Sequence, residues 1–433
     1  MGKTKFTFID LFAGIGGFRV ALEDLGGKCV GFSEIYQPAI KVYKDNFDTD
    51  DDIAIGDITK PSYSPYADIL VGGVPCQSWS IAGKNKGFED PRGKLWLDTI
   101  KFTEQVKPKA FIYENVKGLA DPRNKPNLDL IIKEFTGLGY TVVHKVLNAF
   151  DFGLAQSRER IFIVGIRNDL NHSAFEYPKS YGLLPNLSSI LDNMIVKTKQ
   201  KESLAEYKNS FNMAAVANKG NFFIFADVRN GDYTIHSWDL VETTPMEKEI
   251  CLKILQNRRR PLYGSKDGNP MSFKHIQGLF SINVLALNDR KASSVKKSDL
   301  DDLVKKKILR YQDGKYELTH SRISSGINGI YRIFLPESHV FSTLTRSGTR
   351  DFIATESIPE EVMNKKAYFI ENIYRKKKYR PISAKEAAKI QGFKDDFIFN
   401  TPYSTTMGLL GNSIAINIVR EVSKKLLTAI EVS

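Results

Sequence analysis

Short apolar and β-branched runs alternate with amphipathic stretches from the start of the chain. Phe6–Phe12 reads as a buried strand, and Phe18–Leu25 as an amphipathic helix closed by Gly26-Gly27. Lys28–Phe32 predicts a second strand, and a helix follows from about Pro38 to Asn46. Ile53–Ile55, Ile69–Gly72 and Ala110–Tyr113 predict three more strands. This alternation predicts an α/β fold with a doubly wound, mostly parallel sheet covered by helices on both faces. Ligands bind such sheets at the carboxyl ends of the strands.

Chemically suggestive residues fall at those ends. Strand one runs into Asp10-Leu11-Phe12-Ala13-Gly14-Ile15-Gly16-Gly17, strand two stops at Glu34 and strand three at Asp57. Strand four ends at Pro75-Cys76-Gln77 and strand five at Glu114-Asn115-Val116. A single glycine-rich turn can be a plain connection; five such ends facing one crevice are hard to assign to packing. The turn departs from the dinucleotide fingerprint GxGxxG, because Arg19 stands where the third glycine would be. Glu34 still lies about 20 residues on, where a carboxylate can take both ribose hydroxyls of an adenosine. Asp57 can accept from an adenine amino group. Together these fit an adenosine-bearing cofactor without a pyrophosphate, for which S-adenosyl-L-methionine is the candidate.

Composition narrows the class. The 433 residues suit two or three domains, and 42% hydrophobic with 26% charged residues excludes a disordered or fibrous chain. No stretch approaches the apolar length of a membrane span, and Phe6–Leu11 is too short for a secretion signal, so a cytoplasmic enzyme is expected. Three cysteines without a CxxC pair exclude a disulfide scaffold and a cysteine-based zinc site, and no metal is expected. Cys29 lies within a strand and Cys251 within an apolar helix pattern, which makes both packing residues. Cys76 differs: it follows Gly72-Gly73-Val74-Pro75 and leads into a polar, glycine-punctuated loop, where a thiol near arginines can be activated as a nucleophile.

The net charge of +12 is unevenly placed. Residues 1–170 hold 22 basic and 22 acidic side chains, so the whole surplus lies beyond them. A neutral part joined to a basic part suggests that one does chemistry while the other holds nucleic acid.

Seven motifs occur in a telling order: Phe8–Gly17 (FIDLFAGIGG), Gly73–Ser80 (GVPCQSWS), Gly87–Gly93 (GFEDPRG), Glu114-Asn115-Val116, Gln156-Ser157-Arg158-Glu159-Arg160, Arg380–Phe393 (RPISAKEAAKIQGF) and Gly411-Asn412-Ser413. In these motifs the chain resembles the C5-cytosine-specific DNA methyltransferases of bacterial restriction–modification systems, over about 1–170 and 375–425. The resemblance implies methyl transfer from S-adenosyl-L-methionine to C5 of a cytosine flipped out of a specific duplex DNA sequence. It implies that Cys76 adds to C6 and that Glu114, its pKa raised by burial, holds or protonates N3. Arg158 and Arg160 would contact the cytosine O2 and the nucleophile loop. Cofactor contacts are implied at Asp10, Phe12, Gly14, Gly16, Gly17, Glu34, Ile35, Asp57, Ile58, Pro75, Asn412 and Ser413. DNA contacts are implied at Ser80, Lys84, Arg92 and Thr343. Besides double-stranded DNA, a cognate restriction endonuclease acting on the same site is an implied partner.

The same resemblance makes 1–180 the first part of a Rossmann-like, S-adenosylmethionine-dependent catalytic domain and 391–433 a segment returning to it. Residues 181–390 would be an inserted, smaller target-recognition domain, with basic runs at Arg258-Arg259-Arg260, Lys305-Lys306-Lys307 and Arg375–Lys378. Within it Pro245–Arg259, His275–Val284 and Leu300–Ile308 read as helices, and Leu309–Leu318 as a hairpin around Asp313-Gly314. That is the order of a winged helix-turn-helix, whose third helix would be the candidate for the major groove. One rival reading is a tRNA cytosine-5 methyltransferase, opposed by the large basic insert. Another is a catalytically silent DNA-binding relative, opposed by the intact Cys76, Glu114, Arg158 and Arg160. A nicotinamide-dependent oxidoreductase is opposed by Arg19 and Cys76.

Overall fold

Seven segments, β1 (Phe6–Leu11), β2 (Gly27–Ser33), β3 (Ile53–Ala54), β4 (Ile69–Gly73), β5 (Ala110–Val116), β6 (Tyr140–Asn148) and β7 (Glu159–Arg167), form one sheet in the order β3-β2-β1-β4-β5-β7-β6. The computed structural model describes residues 4–61, 63–75, 94–192, 222–225, 232–266, 268–281, 295–319, 329–347 and 350–431. The first five strands pair in parallel, whereas β7 runs antiparallel to both β5 and β6. The sheet is thus mainly parallel, with a single reversed strand.

Both faces of the sheet are covered. Phe6 and Phe8 of β1, Ile69 and Val71 of β4, and Ala110 and Ile112 of β5 face one core. Ile9, Leu11, Leu70, Phe111 and Tyr113 face the other. Side chains alternate in direction along a strand, and here both directions are buried, which is why these segments read as unbroken apolar runs. The helices α1 (Gly17–Glu23), α2 (Gln37–Asn46), α3 (Leu95–Val106) and α4 (Lys125–Gly137) fill the connections, with α3 and α4 on the second face. The last helix, Ile416–Glu431, returns to pack beside α1 on the first face through Ile418, Val419, Val422 and Leu426, which recur at helical spacing. No helix among the described residues is long and apolar enough to cross a membrane.

Two features differ from the pattern in the sequence. Pairing with β7 carries β5 past Tyr113 to Val116, so Glu114-Asn115-Val116 lies inside a strand, with Glu114 opposite Phe162 and Val116 opposite Arg160. The strands β6 and β7 themselves are not predicted. β6 is an edge strand with Val143, His144 and Lys145 exposed, so it shows little apolar alternation.

Among the described residues eight short strands follow: β8 (Phe222–Phe225), β9 (Thr234–Ile235), β10 (Met271–Ser272), β11 (Leu309–Gln312), β12 (Lys315–Leu318), β13 (Arg332–Phe334), β14 (Asp351–Ala354) and β15 (Tyr379–Pro381). They form a five-stranded mixed sheet, β15-β14-β13-β8-β9, and a three-stranded antiparallel one, β10-β12-β11. The smaller sheet belongs to a unit nested between β9 and β13. Its helices α5 (Pro245–Asn257), α6 (Phe273–Ser281) and α7 (Lys297–Lys305) close on the sheet around a core of their own, including Ile250, Met271, Ile276, Leu303 and Tyr316. Thr244 and Glu247 cap α5 reciprocally. The hairpin turns on Asp313 (φ 52°) and Gly314 (φ 73°), the paired positive angles that a tight two-residue hairpin demands. β10, between α5 and α6, is too short to be visible in the sequence pattern. The expected extension of α6 from Ser281 to Val284 lies outside the described residues.

Candidate active site

A cavity of about 400 Å³ opens at the carboxyl ends of β1 to β5 and is closed on one side by residues 409–414 of the returning segment. The turn after β1 shapes its floor. Phe12 (φ 53°), Gly14 (φ 57°) and Gly16 (φ 85°) are all left-handed, and Gly16 N–H donates to the Ala13 carbonyl at 2.8 Å. The two glycines that follow have opposite surroundings. A Cβ on Gly17 would lie 2.8 Å from Ile414 and 3.1 Å from Ser413 Oγ, at the cavity wall. A Cβ on Gly16 would lie 2.3 Å from the Phe47 ring, behind the turn. Gly16→Ala should therefore lower stability by about 2 kcal/mol through strain and overpacking. A denaturation midpoint equal to the native one would show that Phe47 gives way freely.

Glu34 faces that turn from the end of β2. Its Oε2 accepts from Gly14 N–H at 2.9 Å, and its Oε1 accepts from the Ile35 and Tyr36 N–H groups, both at 2.8 Å. Three amides therefore orient the carboxylate and leave lone-pair capacity unused. Asp57 Oδ1 accepts from the Thr59 backbone and hydroxyl at 2.9 and 2.8 Å, bonds that hold its carboxyl below the usual range. Ile58 is buried beside it, while Ile35 is exposed at the rim. Asp10, expected among the cofactor contacts, is fully buried and does not line the cavity; neither does Gly16. Burial pushes the Asp10 carboxyl well up, against the opposing pull of Arg19.

Arg19, the residue that breaks the glycine fingerprint, is buried and bound to carboxylates of its own. It pairs with Glu23 at 2.6 Å and with Asp52, donates to the Asp48 carbonyl at 2.7 Å, and lies over the Phe47 ring. It braces the start of α1 against the segment before β3 and is not among the cavity-lining residues.

The far end of the cavity is built from β5 and the QSRER segment. Arg160 Nε lies 2.9 Å from Glu114 Oε1, with the carboxyl buried and the guanidinium largely so. Burial raises the Glu114 pKa; Arg160 and then Arg158 oppose the rise. Asn115 donates to the Val74 carbonyl at 3.1 Å, which fixes the end of β4 just before Pro75. Arg158 is spent on backbone. It donates to the carbonyls of Leu344 at 3.0 Å, Gly411 at 3.2 Å and Ser413 at 2.5 Å. Gln156 accepts from Leu344 N–H at 3.1 Å and reaches Gln391 at 3.4 Å, and Gln391 donates to the Leu410 carbonyl at 2.7 Å. Thr343, expected to touch DNA, is half-buried and donates to the Ser157 carbonyl.

Of the expected site residues, Phe12, Gly14, Gly17, Glu34, Ile35, Asp57, Ile58, Pro75, Glu114, Arg158, Arg160, Asn412 and Ser413 line one cavity. Cys76, Ser80, Lys84 and Arg92 lie outside the described residues. Tyr36, Leu95 and Arg346 also line the cavity and are not singled out by the sequence. Only Arg346 carried a signal, two residues after the Thr343-Leu344 pair. Cys29 and Cys251 are buried packing residues whose thiols are pushed up to about 12 by desolvation.

A mainly parallel sheet with one reversed strand, and a cavity with a braced carboxylate at one end and a buried carboxyl–guanidinium pair at the other, define a methyltransferase-type α/β enzyme. A Spodoptera frugiperda DNMT2 variant has a similar fold, with TM-score 0.54, 17% identity, and coverage of 97% of this chain and 99% of that one. The Entamoeba histolytica methyltransferase EhMeth is comparable, at TM-score 0.54 and 14% identity over 98% and 99% of the two chains. At such identities the likeness is one of fold. The chain belongs to the C-5 cytosine-specific DNA methylase family, whose pattern matches residues 6–428. It is 46% identical to the type II methyltransferase M.HgiBI of Herpetosiphon aurantiacus over 98% of this chain and 97% of that protein. It is 32% identical to M.NlaIV of Neisseria lactamica over 98% and 99%. Its activity is DNA cytosine-5 methylation of the restriction–modification type.

Proposed function

We propose that the cavity takes S-adenosyl-L-methionine and the target cytosine side by side, and that Cys76 carries the transfer through a covalent bond to C6. One observation carries this reading: Glu34, Ser413 and the Glu114–Arg160 pair share a single cavity whose wall includes Pro75, the residue before the thiol. The residues present fit the cofactor that the family uses. Glu34 and Asp57 would hold the adenosine, Phe12, Ile35 and Pro75 give it apolar walls, and Gly17 and Ser413 border the amino-acid end. Asp10 and Gly16 would support the turn from behind. When bound, the cofactor supplies an electrophilic methyl group.

The protein's own groups do the rest. The Cys76 thiolate adds to C6, moving the C5–C6 electron pair toward N3, where Glu114 supplies a proton. The enamine so formed is nucleophilic at C5. After methylation the C5 proton leaves to a base, Cys76 departs, and N3 returns its proton to Glu114. Arg160 orients the carboxyl and would reach the cytosine O2. Arg158 holds the cavity wall in place.

Glu114 must carry its proton when C6 is attacked. Burial raises its pKa, and the protonated share falls as pH rises through that value, so single-turnover transfer should fall on the alkaline side. Glu114→Gln should remove that limb of the profile and slow transfer by about 100-fold. A Gln variant with the native rate and profile would exclude Glu114 as the proton donor.

The insert, 181–390, is read as the target-recognition domain and 391–433 as the returning catalytic segment. The order helix–strand–helix–helix–hairpin over 245–318, with β10 beside β12, supports a winged-helix-like unit. Ser80, Lys84, Arg92 and Thr343 remain proposed DNA contacts, Thr343 through its hold on Ser157. A cytoplasmic, DNA-associated enzyme with a cognate endonuclease fits the type II relatives. Labelled methyl transfer to duplex DNA at one mapped sequence, and none to tRNA, is the expected result. Transfer to tRNA alone would overturn the reading.

A further inference from the structure

A winged helix presents its third helix to DNA, and here that helix is a poor candidate. The exposed side of α7 carries Lys297, Ser298, Asp301, Asp302 and Lys305. Asp302 is paired with Lys305 at 2.9 Å, and Asp301 accepts from the Tyr316 hydroxyl at 3.0 Å. Over the whole helix three aspartates outnumber two lysines. The exposed face is charge-balanced, with the further cations Lys296 and Lys307 only at its two ends, and so offers phosphates little net attraction.

The segment after α5 has the opposite character. Residues 258–269 hold Arg258, Arg259, Arg260 and Lys266 against one carboxylate, Asp267. The described part of this loop is ordered from within by Asn269, whose side chain is buried. Asn269 Nδ2 donates to the carbonyls of Arg258 at 2.9 Å, Gly264 at 3.1 Å and Lys266 at 2.8 Å, and its Oδ1 accepts from Lys266 N–H at 3.0 Å. Its own N–H donates to the Arg258 carbonyl at 2.9 Å. Gly264, at φ 142°, sits where a Cβ would meet Asn269 Oδ1 at 2.4 Å, so only glycine lets the loop close. Tyr263 packs against His275 of α6 with ring centroids 5.3 Å apart, which fixes the loop to the body of the unit. The loop thereby presents Arg259, Arg260 and Lys266 to solvent, with Leu262 77% exposed among them. Ordering a surface segment costs conformational entropy. The order achieved here holds cations and a leucine outward, the combination that proteins use against phosphates and the minor groove.

We infer that loop 258–266, and not α7, is the surface with which this unit docks on duplex DNA. Arg259, Arg260 and Lys266 take backbone phosphates, and Leu262 lies against the sugar edges of the groove. The inference rests on the reading of the insert as the DNA-holding domain.

The test uses the full chain with its cofactor product and a duplex carrying the mapped target sequence. Replacing Arg259, Arg260 and Lys266 together with Ala should flatten the dependence of log affinity on log salt by about two to three. Affinity at moderate salt should drop by about 10- to 100-fold, with cofactor affinity unchanged. R259K/R260K should keep the native slope, which separates loss of charge from loss of the loop. D301A/D302A should bind as tightly as the native protein or more so. A native slope in the triple-alanine variant overturns the inference, as does a larger loss from K297A/S298A. In either case a native chain that still methylates duplex DNA leaves the reading of the enzyme standing. A native chain that binds no duplex would overturn both.

Discussion

Cys76→Ala should bind cofactor and duplex DNA as the native protein does and transfer no methyl group above background. Removing the nucleophile from an enzyme that works through a covalent adduct costs on the order of 10⁴- to 10⁶-fold in rate, because the remaining groups have no activated C5 to act upon. Three observations place the demand on Cys76. Pro75, the residue before it, lines the cavity. Gly73 in β4 is the register partner of Glu114 in β5, so the chain leading to Cys76 leaves the sheet beside that carboxyl. The other two cysteines are buried in apolar cores. A duplex with 5-fluorocytosine at the target separates this scheme from a direct attack by C5. Fluorine cannot leave as a proton does, so the native protein should remain covalently joined to the strand and the Ala variant should not. An active native enzyme that forms no such adduct would exclude the covalent route.

Arg158→Leu should lose about 3–6 kcal/mol of stability, the cost of leaving two buried carbonyls and one half-buried carbonyl without donors at about 1–3 kcal/mol each, eased where water enters. The carbonyls belong to Leu344, Gly411 and Ser413, segments more than 180 residues away in sequence, so one side chain joins the QSRER turn to both other walls of the cavity. Cofactor affinity should fall with stability, since Ser413 and Gly411 would no longer be held. Arg158→Lys keeps the charge but offers one nitrogen where two are used, and should recover only part of the loss. Equilibrium denaturation alongside cofactor titration checks both statements. A Leu variant within 1 kcal/mol of the native protein would show that the carbonyls find other donors.

Sequence reading was sound where physics is local. β1, β4 and β5 are buried on both sides, so their apolar runs announce them, and the glycine turn and Glu34 follow from their ends. The burial of Glu114 is expected, but its place inside a strand and not beyond one is not, because β7, the partner that lengthens β5, begins 43 residues after its end, at Glu159. Asp10 and Gly16 look like cofactor contacts by motif, yet they sit behind the turn, and only packing against Phe47 and the sheet reveals that. The five-stranded sheet was illegible for a similar reason. Its strands are two to four residues long, and β8 finds β13 more than 100 residues away. Arg158 is expected at the cytosine O2 and the nucleophile loop; it lines the cavity, but its bonds to three carbonyls are visible only once the return segment is in place.

That return has a consequence for how the enzyme is made. Synthesis runs from the amino end, and the sheet strands that carry Glu34, Asp57 and Glu114 emerge early. The wall formed by Leu409–Ile414 and the helix Ile416–Glu431 that packs on α1 emerge more than 290 residues after Glu114. A nascent or prematurely terminated chain therefore lacks one side of its pocket and the acceptors that hold Arg158. A chain that stops before Leu409 should transfer no methyl group, even though the strands beside Glu34, Asp57 and Glu114 are all present.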